Sequence, residues 1–187
     1  MKHPMAAAAS LALVLAPLAG GALATGTAGA AAAPHVVETM RLVTGHMDGK
    51  AGWPRILNSS WTVKKGESVT VRIISFDDGT APLVGNYMKY DQVMGTTTGK
   101  ELVAGKPVKT VSDINVAHTF TLPTLGFNMP IPVAPTGKSI VVTATFVPHK
   151  VGTFVWHCYA PCGSGANGMG GAMSTMTWMT GKIRVVA

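Results

Sequence analysis

The chain has 187 residues, room for one domain of ordinary size plus a short extension. Only 12% of the residues are charged, about half the usual share, and the formal net charge is +7. A coiled coil and a highly charged disordered chain are therefore excluded, since both need far more charge than this.

Residues 1–33 contain a single Lys or Arg, Lys2, and no acidic residue. Lys2 and His3 make a short basic start, Ala6 to Leu18 is apolar, and small residues at 22–24 and 31–33 suit cleavage. The expectation is a secretory signal peptide over 1–33, with the mature chain outside the cytoplasm, either secreted or in the periplasm or cell envelope. Pro17, Gly20 and Gly21 disfavour a retained membrane anchor, and no later segment approaches eighteen consecutive apolar residues, so no transmembrane span is expected in the mature chain. Without the leader, 14 basic residues face 8 acidic ones, and Lys64-Lys65 is the only adjacent basic pair. A nucleic-acid partner would call for a basic stripe with interleaved aromatics, which is missing.

Residues 34–187 read as one all-β domain. His35 to Val43 is a candidate first strand, followed by Trp61 to Lys64 and a turn at Lys65-Gly66-Glu67. Ser68 to Phe76 alternates, with Val69, Val71 and Ile73 on one face. Asp77 to Val111 is irregular and Gly-rich, an excursion with a short helix or hairpin. Further strands are expected at Ile114 to Thr121, Ser139 to Phe146, Thr153 to Cys158 and Lys182 to Val186. Gly or Pro at most junctions predicts a sandwich of two packed sheets rather than βαβ units.

The chemistry concentrates in the second half. His118 stands near one strand end, and about forty residues later comes His157-Cys158-Tyr159-Ala160-Pro161-Cys162, then a Gly- and Met-rich loop with Met169, Met173, Met176 and Met179. Imidazole and thiolate donors suit copper or zinc, and thioether sulfur favours Cu(I). The Gly-rich context favours a loop over core packing for these methionines. Neither a nucleophile elbow around Ser164, nor a Walker-type loop, nor a paired-carboxylate motif is present, so no enzyme is expected.

The order of elements resembles the cupredoxins, and over roughly residues 58–186 it is most similar to the copper A domain of cytochrome c oxidase subunit II. Asn58 to Val71 is similar to a common cupredoxin opening, His118-Thr119-Phe120 with Leu122-Pro123-Thr124-Leu125-Gly126 to the family's first His ligand, and Cys158 with Cys162 to its Cys-x3-Cys pair. The resemblance implies a Greek-key β-sandwich, one or two copper ions, and His118, Cys158, Cys162 and Met169 as ligands; the loop's other thioethers, Met173, Met176 and Met179, are candidates for secondary contacts only. It also implies electron transfer with a redox protein or terminal oxidase as partner. Ala166 stands where the family has its second His, and no His follows His157. His157 substitutes only if the strand has already turned, because neighbours on a strand point to opposite faces. His46, in an early loop, is the other candidate, whereas His149 lies at the far end of the strand that leads to Cys158. Trp156 and Tyr159 are candidate contact surface for a partner. Three readings follow: an electron carrier; a protein for copper storage, delivery or oxidase assembly that binds Cu(I); and a metal-free sandwich with a Cys158–Cys162 disulfide.

Overall fold

In the computed structural model, residues 34–187 are described; the expected leader lies outside them. Among the described residues eleven strands form in chain order: β1 His35–Val43, β2 Arg55–Leu57, β3 Thr62–Lys64, β4 Ser68–Ser75, β5 Glu101–Val103, β6 Lys106–Val108, β7 Val116–Leu122, β8 Phe127–Pro132, β9 Ile140–Phe146, β10 Gly152–His157 and β11 Thr180–Val186. They build a six-stranded sheet, β2-β1-β4-β9-β5-β6, and a five-stranded sheet, β3-β11-β10-β7-β8. Pairing is antiparallel except β1 with β4 and β3 with β11. Among the described residues no helix is long and apolar enough to cross a membrane.

The alternation read in β4 is realised: Val69, Val71 and Ile73 are fully buried while their neighbours are half-exposed. They meet Phe120, Trp156 and Ile183 from the other sheet in one apolar core, and Phe127 packs on Phe146 with ring centroids 4.5 Å apart. This is the expected all-β sandwich. One carboxylate, that of Glu101, is sealed beneath the first sheet, and neither of its oxygens is hydrogen-bonded. Burial pushes it up to about 9.

Two strands were not legible in advance. β2 has three residues, and β8 carries Pro130 and Pro132, which argue against a strand interior. β8 tolerates both because it is the edge strand: β7 is its one strand neighbour, and on its open side it makes a single bridge, from Asn128 to Met94, away from both prolines.

The excursion contains a 3-10 turn at Gly85–Asp91 and the β5–β6 hairpin. It also covers part of the outer face of the second sheet. Asn128 on β8 donates to the carbonyls of Tyr90 and Gln92, and accepts from Thr121. Thr121 and Asn128 are buried where the excursion crosses this sheet.

Candidate metal centre

His118 enters through an irregularity in β7. The register with β8 shifts between Val116 and His118, so Ala117 is an extra residue. Such a bulge re-aims a side chain. His118 shares a strand face with Phe120 and is 1% exposed. Its Nε2 donates to Asp77 Oδ2 at 2.8 Å, while Nδ1 is buried with no hydrogen-bond partner.

Cys158 follows the last residue of β10. The strand alternates, with Trp156 buried, His157 half-exposed and Cys158 buried again. The Cys158 amide donates to Met179 O, and its Sγ accepts from the Thr119 amide at 3.3 Å. A tight loop then returns Cys162, whose Sγ lies 3.5 Å from Cys158 Sγ and 3.1 Å from Met173 Sδ. Donor atoms of His118, Cys158 and Cys162 all lie within 4.8 Å of one another, and both cysteines are free thiols.

The electrostatics divide the pair. Burial alone would raise Cys158, but the Cys162 thiol, the charge of the nearby His118 ring and the donating Thr119 amide hold it well below the usual thiol range. Burial and the neighbouring Cys158 thiolate push Cys162 well above it. Burial would lower His118, yet the hydrogen bond to Asp77 and the charges of Cys158 and Asp77 raise it to about 9. A metal needs deprotonated sulfur and a ring nitrogen free of its proton, so ion binding must displace protons from this group.

The other expected residues sort by position. His157 is turned away from the cysteines: its Nδ1 is 3.2 Å from Thr180 Oγ1, the outward placement that strand parity requires. Burial holds its pKa down, against the pull of Cys158. His46 is exposed and lines a cavity of about 510 Å³ together with Thr44, Asp77, Asp78, His118 and Cys162. His149 lies in the β9–β10 connection, at the opposite end of β10 from Cys158.

The methionines divide as well. Met173 touches Cys162, Met179 is fully buried in the core, and Met176 is 45% exposed. Met169 packs at the core margin and lines a surface depression with Tyr87, Pro161 and Asn167. The expectation of a loop rather than core therefore fails for Met173 and Met179, both buried in the core, because the loop folds back and the Met179 amide pairs with Ala172 O.

Trp156 is corrected too. It is completely buried and donates to Ser59 O, so it offers no contact surface. Tyr159 does lie near the surface, stacked on Tyr90 at 4.2 Å and Tyr87 at 5.4 Å. Asp77 escaped sequence reasoning; its only signal is its place just past β4, in the segment read as irregular.

No protein-family model matches the chain, and no curated protein matches it. Among solved structures it is similar to rusticyanin from Thiobacillus ferrooxidans (16% identity, 82% of this chain and 78% of that one, TM-score 0.38). It is similar to reduced rusticyanin at 17% identity, with 82% and 80% covered and a TM-score of 0.39. A third likeness is to the McoA multicopper oxidase from the hyperthermophile Aquifex aeolicus, at 14% identity and a TM-score of 0.42, covering 84% of this chain but only 30% of the oxidase.

Proposed function

We propose that this chain is an extracytoplasmic, cupredoxin-like copper protein that carries single electrons, with His118, Cys158 and Cys162 as ligands. The observation that carries the reading is the buried His118 Nδ1, which has no hydrogen-bond partner while its ring sits among two thiol sulfurs. A buried polar atom left unpaired costs about 1–3 kcal/mol, and a metal ion removes that cost. Nitrogen with sulfur is a donor set for copper or zinc, and the Met173 thioether beside Cys162 favours copper. Met173 is accordingly the thioether proposed for the ion, in place of Met169.

Bound copper would supply a one-electron couple. The chain's own part is to hold the donors in place through change of oxidation state. Cys158 is fixed at its sulfur by the Thr119 amide, which donates to it, and at its own amide by the Met179 carbonyl, which accepts, and His118 is fixed by Asp77. With one imidazole in the group, one ion per chain is the stoichiometry proposed. The partner proposed is a redox protein or terminal oxidase.

A second reading, Cu(I) storage or delivery, is favoured by the three sulfurs and by the cavity that reaches Cys162 and His118 from solvent. Addition of Cu(II) to the reduced protein, followed by visible and paramagnetic resonance spectra, separates the two. Intense thiolate-to-copper absorption that bleaches and returns on redox cycling is the result expected for the carrier. A colourless Cu(I) complex would transfer the assignment to storage or delivery, and no bound copper would sink both.

A further inference from the structure

Asp77 is built into the fold more firmly than a surface carboxylate needs to be. Its backbone carbonyl accepts from the Ala134 amide, tying this turn to the segment after β8, and four residues on the Ala81 amide donates to Val116 O at the start of β7. The carboxylate is committed at both oxygens: Oδ1 accepts from the Gly79 amide at 2.9 Å, Oδ2 from His118 Nε2 at 2.8 Å. Gly79 suits this turn, since a Cβ there would stand 3.1 Å from Oδ1. The turn and β7 are thus connected through both main chain and side chain, and the His118 ring has one orientation that satisfies Nε2. In that orientation Nδ1 is the nitrogen left without a hydrogen bond.

We propose that Asp77 is a positioning residue for the metal: it fixes Nδ1 as the nitrogen His118 offers and, by its negative charge, holds the reduction potential of bound copper down. This rests on the copper reading above. The charge argument follows from oxidation state, because a carboxylate hydrogen-bonded to a ligand makes that ligand a stronger donor and stabilises Cu(II) more than Cu(I). Loss of an outer partner of this kind typically costs 10–100-fold in metal affinity.

Two variants separate geometry from charge. Asp77→Asn keeps an oxygen acceptor for Nε2–H and removes the charge, whereas Asp77→Ala removes both. In copper-loaded protein Asp77→Asn should retain bound copper while Cu(II) affinity falls about tenfold relative to Cu(I), a rise in potential of about 59 mV for one electron. An unchanged potential in that variant would overturn the charge role. In metal-free protein, proton NMR with nitrogen-labelled His should show a downfield, exchange-protected Nε2–H for His118 in the wild type and in Asp77→Asn, and its loss in Asp77→Ala. Persistence of that signal in Asp77→Ala would overturn the positioning contact. A wild-type protein that takes up no copper would overturn the copper reading and the effect on potential with it, and the metal-free signal would still decide the contact.

Discussion

At Cys158 burial and charge pull in opposite directions, and charge wins because His118, Cys162 and the Thr119 amide all act on one sulfur. The consequence is a set of unequal substitutions. Cys158→Ser and His118→Ala should each abolish copper binding, as measured by equilibrium dialysis, while His157→Ala and His149→Ala should leave it unchanged. Met173→Leu should weaken Cu(I) binding by roughly tenfold, about 1.4 kcal/mol, and Met169→Leu should not. The cysteines and His118 were legible because their spacing carries their chemistry. Met173 and Asp77 were not, because nothing in a linear Met-rich loop says which thioether folds onto Cys162, and Asp77 is 41 residues from the ring it holds. Trp156 was misplaced for a simpler reason. It precedes two candidate donors in sequence, but β10 alternates, so Trp156 shares the inward face with Cys158.

The elements that were read correctly share a strong local signal. β1 was bounded as observed, and β4, β9 and β11 are apolar or alternating runs framed by turn residues. β8 escaped because its prolines carry the opposite signal unless the strand is known to be an edge, and edge position is a property of the sheet. The loop from Cys162 to Gly170 is the element on which the site depends most. Ser164 and Gly170 pair main chain to main chain, and Gly163 sits in the crook, where a Cβ would press on the Gly170 carbonyl and lie 2.7 Å from Met173 Cγ. Gly163→Ala should therefore cost about 1–3 kcal/mol of stability by denaturant titration and displace Met173. Copper affinity should fall in the same variant, with the far-ultraviolet dichroism of the sheets retained. Full affinity in Gly163→Ala would show that the loop does not set the site.

Over the whole molecule, Glu101 makes stability depend on pH. Its folded value near 9 exceeds the unfolded value of 4.5, so between these the native state holds a proton that the unfolded chain has lost. Stability must then fall as pH rises from about 4.5 to 9, by about 3 kcal/mol at pH 7 from 1.36 kcal/mol for each unit. Glu101→Gln removes this proton exchange, so the difference in unfolding free energy between variant and wild type should grow in the variant's favour from pH 4.5 to 9. A difference independent of pH would mean that Glu101 is ionised in the native state. His118 and the cysteines titrate in both proteins and cancel from that difference. The same sandwich that seals Glu101 brings residues 118, 158 and 162 from a bulged strand and a loop to one point, and the central claim is that this point binds copper. The most direct test is the copper-to-protein ratio of the reduced chain after copper loading and removal of unbound metal. One copper per chain, lost in Cys158→Ser and His118→Ala, is the result predicted; no retained copper, or copper retained equally in both variants, would contradict it.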